Sequence, residues 1–215
     1  MSYNRHVYIT AASMSILLAL AGLINHGLFE IRQGYTSTNG FFIEAISEAD
    51  RFWQHGTEAA FTLIPNFLLT GLTVVAISIA LIIFSLKYLP SPNGSKFLLL
   101  FFCLLTLFGG GIGHLVVWLP TWGFATRIHA PLTRFTNNVS SRWRTLLNAL
   151  WLPMLVMSSV SWVTVMELGI IGYFPGVSDP NVILTIVFAF LFATTGLLSV
   201  AFVGAMARDS YREHY

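Results

Sequence analysis

Long uncharged runs are the feature that most constrains this chain. Val7–Phe29, Ala59–Leu86, Phe97–Thr126, Thr145–Met166 and Asn181–Ala207 each lack any Asp, Glu, Lys or Arg, and the fourth continues past a single Glu167 to Gly172. At 1.5 Å per residue a helix of about 20 residues crosses a hydrocarbon core of about 30 Å. A segment in lipid must satisfy its own backbone groups, so each run is expected to be helical. The expectation is an all-α integral membrane bundle of five transmembrane helices, at about 7–29, 59–86, 97–119, 146–172 and 182–207, forming one polytopic domain over 1–215.

Composition closes off the other classes. The chain is 55% hydrophobic and 9% charged, whereas a soluble domain carries about 25% charged residues. Disorder needs the opposite balance. A net charge of +2, spread along the chain, leaves no footprint for nucleic acid. Cys103 is the single cysteine, so no disulfide forms within the chain. Arg5 and His6 before an apolar stretch resemble a signal peptide, but the stretch continues to Phe29, which favours a retained helix.

Orientation is read from Lys and Arg beside the helix ends. With five crossings, Arg5, Lys87 and Lys96 fall on one side. Arg32, Arg51, Arg127, Arg134, Arg142, Arg144, Arg208 and Arg212 fall on the other. This count puts the N-terminus outside and the C-terminus in the cytoplasm. Against it, the first loop also carries Glu30, Glu44, Glu48, Asp50 and Glu58, an acidic set ill-suited to an anionic leaflet.

Two loops carry pattern. Phe42, Ala45, Ile46, Ala49, Phe52 and Trp53 recur at helical spacing, with Glu44, Ser47, Glu48 and Arg51 between them. This predicts an amphipathic interfacial helix at about 41–53, capped by Thr38 or Asn39, serving as a surface anchor or a lid. The third loop holds Trp122, Arg127, His129, Arg134, Arg142, Trp143 and Arg144, which suits anionic headgroups or another anionic ligand. Pro65 is expected to kink the second helix, with Asn66 beside it.

The residues that could carry chemistry gather at helix ends. His26 and Glu30 are four apart, His55 and Glu58 three apart, and His114 lies near the end of the third run. Chain tracing puts all five on one side of the membrane. Imidazole and carboxylate donors suit Fe, Zn or Mn, so the five form one candidate metal site. A second reading takes His26 and His114 as axial ligands of haem b. The macrocycle would lie against Gly109-Gly110-Gly111-Ile112-Gly113, and arginines of the third loop would pair with its propionates. Those glycines also suit simple close helix packing. Glu167 marks a proton or ion path, with hydroxyls from Ser158, Ser159, Ser161, Thr164, Thr194 and Thr195 near it.

Four functions therefore compete: a metal-binding membrane protein, a bis-histidine haem protein, a small transporter using Glu167, and an accessory subunit of a membrane complex or homo-oligomer. No Gly-x-Ser-x-Gly, His-Glu-x-x-His or phosphate-loop motif assigns catalytic residues.

Overall fold

A computed structural model describes residues 3–211. Helix α1 spans Arg5–Arg32 and turns π-helical over Gly22–Leu28. Two short strands, β1 (Phe42–Glu44) and β2 (Ala59–Phe61), pair antiparallel with Ile43 opposite Ala60. Then follow α2 (Phe67–Lys87), α3 (Gly94–Leu107), α4 (Leu115–Ala125), α5 (Thr133–Asn138), α6 (Ser141–Ile171) and α7 (Pro180–Ser210). Among the described residues four helices, α1, α2, α6 and α7, are long and apolar enough to cross a membrane. The protein is a mostly helical bundle of membrane-spanning type.

The expected fifth span is two helices. The apolar run from Phe97 breaks at Gly109 and Gly111, whose φ angles of +108° and +90° strain any residue with a Cβ. At 14 and 11 residues, α3 and α4 are about 21 and 17 Å long, too short to cross alone. Their outer ends lie together. His129 Nε2, after α4, is 2.9 Å from the carbonyl of Pro90, before α3. The amides of Leu63 and Ile112 donate to Leu107 and Ala59, which ties the turn between the two helices to the loop that carries β2. So α3 enters the bundle, turns at the glycines and returns to the side it came from. Pro120 lies within α4.

This reversal changes the side of everything downstream. The start of α1 and the end of α7 lie together at one end of the bundle, where the Asp209 carboxylate accepts the amide hydrogens of His6 (2.9 Å) and Val7 (3.1 Å). The side chain of Asn4 donates to the carbonyl of Arg127 at the same end. Five crossings would instead set these two helix ends on opposite faces. The basic loop holding Arg127, Arg134, Arg142 and Arg144 sits with the termini, not with the first loop.

The first loop differs too. Residues 41–53 form β1 and a 3-10 turn at Glu48–Asp50 rather than an interfacial helix, and Asn39 sits at positive φ before the strand. Pairing with β2 wins over the helical pattern because Ala59–Phe61, further along the same loop, supplies a partner strand for Phe42–Glu44. Pro65 lies before α2, not inside it. Asn66 is the cap of α2, its side-chain oxygen accepting from the amide of Leu69.

The core runs the length of the bundle. Met14, Leu81, Phe102, Trp162 and Phe202 are wholly buried in it. Phe124 and Phe202 stack with ring centres 4.7 Å apart, fastening the returning helix α4 to α7. Outward faces stay apolar, as with Leu152, Val156, Val160 and Val163 on α6, which matches a lipid environment.

Candidate metal centre

The π-helical stretch of α1 carries His26 in its sequence Gly-Leu-Ile-Asn-His-Gly-Leu. A π-turn is wider than an α-turn and is common where a side chain must be re-aimed. Here it packs closely on α2: a Cβ on Gly27 would stand 2.7 Å from Val75, and one on Gly71 only 2.6 Å from the carbonyl of Gly27. The histidine ring is thereby sunk into the bundle, with no exposed surface.

Glu58 comes from the extended segment just before β2, and His114 from the residue that precedes α4. Ligand-type atoms of His26, Glu58 and His114 all lie within 4.8 Å of one another. Glu58 Oε2 is 3.1 Å from His26 Nε2 and 3.8 Å from His114 Nε2. Donors about 2.0–2.1 Å from a tetrahedral ion stand about 3.3 Å apart, so these spacings suit an ion at the centre.

The remaining atoms of the three residues are held from behind. His114 Nδ1 donates to the Gly110 carbonyl, which leaves its Nε2 free to face Glu58. Glu58 Oε1 accepts the amide of Gly113 at 2.8 Å. His26 Nδ1 faces Glu30 Oε1 at 4.0 Å, beyond hydrogen-bond length. Glu30 is wholly buried, and neither of its carboxylate oxygens has a hydrogen-bond partner among the described residues. Burial pushes the Glu58 carboxyl upward, but the charges of His114 and His26, a hydrogen bond from His26 and the Gly113 amide outweigh it and hold the group down at about 2.

The glycines of the α3–α4 turn are the floor of this cluster. A Cβ on Gly109 would meet Thr70 at 2.6 Å and Glu30 at 2.8 Å. One on Gly111 would meet His26 Nε2 at 2.5 Å, and one on Gly113 would meet Glu58 at 2.7 Å. The stretch serves neither as a helix-packing stripe nor as a bare surface for a flat ring. It lets three ionisable side chains lie against backbone. The imidazoles of His26 and His114 touch edge to face, with ring centres 5.3 Å apart, so no slot separates them for a macrocycle. The arginines expected to pair with propionates are at the other end of the bundle.

Three of the five expected ligands, His26, Glu58 and His114, thus meet, and Glu30 stands behind His26. His55 does not join them, because 55–58 is not helical and the two side chains diverge. Its Nε2 instead pairs with Asn181 Oδ1 at 3.2 Å on the exposed rim. Glu167 lies exposed on the outer face of α6. The hydroxyls expected beside it are engaged elsewhere: Thr194 donates to Ser161 Oγ, and Ser161 to the carbonyl of Phe190.

Beside Glu58 and His114 lies a cavity of about 170 Å³ between α6, α7 and the first loop. No motif in the sequence signals it, nor the role of Asn25, whose buried side-chain oxygen lines it without a partner among the described residues. Trp162 forms its inner wall, edge-on to the His114 ring. Trp53 closes it above by donating from Nε1 to the Gly169 carbonyl at 3.0 Å. No protein-family model, curated protein or solved structure matches the chain.

Proposed function

We propose that this protein is an integral membrane metalloprotein that holds one divalent transition-metal ion on His26, Glu58 and His114. The observation that carries this reading is the meeting of two imidazole Nε2 atoms on one carboxylate oxygen, at 3.1 and 3.8 Å, inside a membrane bundle. Ionisable groups are costly there and persist where they work. Two histidines and one carboxylate leave a coordination position open, an arrangement used by zinc hydrolases and by non-haem iron oxygenases, so Zn, Fe and Mn are the fitting ions. Glu30 supplies negative charge behind His26 and stands where a partner of its Nδ1–H belongs.

The same reading assigns a side. Among the described residues, Arg5, Lys87, Lys96, Arg127, Arg134, Arg142, Arg144 and Arg208 lie at the end with the termini, against Arg32 and Arg51 at the metal end. Positive charge collects in the cytoplasm, so both termini face it and the metal centre faces the opposite compartment. Arg127, Arg134 and Arg142 are exposed, and with Arg144 they meet the anionic headgroups of the cytoplasmic leaflet.

The test is elemental analysis of detergent-solubilised protein purified without chelators, beside a His26→Ala, His114→Ala double variant. Near-stoichiometric Zn, Fe or Mn that the double variant lacks is the expected result. Wild-type protein that is metal-free, and stays so after incubation with each ion, overturns the reading.

A further inference from the structure

We infer that the open position of this centre receives the oxygen-bearing head of a single-chain amphiphile, whose hydrocarbon body fills the cavity and is drawn from the bilayer. The inference rests on the metal reading and adds the chemical class of the ligand. Its starting point is which ligands the cavity touches. Glu58 and His114 line it, whereas His26 and Glu30 are sealed behind them. An ion held by the three ligands therefore has its vacant side toward the cavity.

The walls are hydrocarbon. Met166 and Ile170 come from α6, and Leu184 and Phe188 from α7, while Lys and Arg are absent from the lining. A nucleotide or any other multiply charged head would find only the bound ion as counter-charge and would lose the rest of its hydration against these walls. The polar groups are few: Asn25, Thr57, Glu58 and His114 sit at the ligand end, and His55 stands at the rim, bonded to Asn181. That is the division an amphiphile has, one polar tip on a larger apolar body. A volume of about 170 Å³ resembles the ~150 Å³ apolar cavity known to take a benzene-sized guest. The head and its first few carbons fit, and the rest of the chain must pass out.

The geometry of the mouth gives the route. At the aqueous rim His55 is bonded to Asn181 and the Trp53 indole is latched to α6. Phe188, about two helical turns deeper along α7 than Asn181, both lines the cavity and is exposed on the outer surface of the bundle. The inferred route therefore runs past Phe188, at the depth of lipid chains, rather than through the rim that Trp53 and His55 cover. A chain entering past Phe188 keeps its tail in the bilayer and carries only its head to the ion.

Gly169 supplies a clean plug. It lines the cavity, and a Cβ built on it meets nothing within 4 Å, so Gly169→Phe adds a ring beside the cavity while replacing no metal ligand. The experiment uses full-length protein in phosphatidylcholine bilayers, loaded with Co(II) as a spectroscopic ion. Decyl hydroxamate and acetohydroxamate are then titrated while the cobalt absorption is followed. We expect the decyl compound to shift the cobalt spectrum at a concentration at least about 100-fold lower, from burial of several methylenes. Gly169→Phe should bind cobalt equally, respond to acetohydroxamate and lose most of that advantage. Bilayer partition favours the decyl compound equally on both proteins, so a decyl advantage as large in the variant as in wild type overturns the inference, as does equal potency of the two probes on wild type. Failure to bind cobalt at all would overturn the metal reading itself, and is measured first.

Discussion

Alanine in place of Gly111 is the sharpest perturbation of the metal centre, because it alters no ligand. Two costs follow from the structure. The first is backbone strain: φ is +90° at this position, which costs about 1–3 kcal/mol for a residue with a Cβ. The second is steric. The new Cβ would lie 2.5 Å from His26 Nε2 and 2.9 Å from Glu58 Oε1, where an ordinary contact begins at 3.4 Å, so the imidazole and the turn must part by 0.9 Å. Metal–ligand distances tolerate about 0.2 Å. The displacement exceeds that several-fold, and affinity should fall at least 10–100-fold, the range seen when mere support of a ligand is lost.

Strain and clash can be separated within the same protein. Gly34 has φ +74°, yet a Cβ there would meet nothing within 4 Å, so Gly34→Ala carries strain without touching a ligand. The assay is zinc competition against a chromophoric chelator in detergent, paired with thermal unfolding of the metal-free proteins. Both variants should lose stability, Gly111→Ala the more because it adds the clash to the strain, and Gly111→Ala alone should lose zinc. If Gly111→Ala binds zinc as tightly as wild type, the glycine turn is not the floor of a metal site and the reasoning fails.

At the opposite end, Asp209→Ala removes the acceptor of two amide hydrogens and of His6 Nδ1, at 2.6 Å. It should cost about 2–4 kcal/mol of stability with metal content unchanged. A loss below about 0.5 kcal/mol in denaturant unfolding would show that the two chain ends are not clasped. Glu58 titrates at about 2 in the fold, below its ordinary value of 4.5. A depressed carboxyl adds stability above the unfolded value and loses it as pH falls through the folded one. Metal-free wild type should therefore weaken between about pH 4.5 and 2, and Glu58→Gln should lack that component; coincident acid-unfolding curves would refute the pairing. In a Cys103→Ala background, Phe52→Cys should react with an impermeant maleimide on intact cells, and Ser141→Cys only after lysis. The reverse pattern would invert the assigned orientation, and labelling of both from one face would contradict the fold.

Hydropathy finds apolar length well but is blind to direction. The four long helices and the meeting of His26, Glu58 and His114 are legible, since the first is a matter of composition and the second of residues expected near helix ends. Phe97–Thr126 is as long and as apolar as a true span, so the run alone cannot report that it doubles back. The cue is Gly109-Gly110-Gly111-Ile112-Gly113 at its middle, which suits a helix surface by pattern and forms a turn in the fold. His55 misleads for a related reason: i,i+3 spacing places two side chains together only where the backbone is helical, and 55–58 is not helical because Ala59–Phe61 pairs with β1. The doubling back also accounts for the charge conflict in the first loop. With an odd number of crossings, Glu30, Glu44, Glu48, Asp50 and Glu58 share a face with the arginines of the third loop. With an even number they part, leaving seven of the eight described carboxylates, counting Glu167 and Asp179, at the metal end and only Asp209 with the basic residues. The acidic cluster that sits badly against an anionic leaflet is thus a sign of a miscounted crossing. The proposed metal centre is served by that arrangement, because a cation approaching that end of the bundle meets negative charge first.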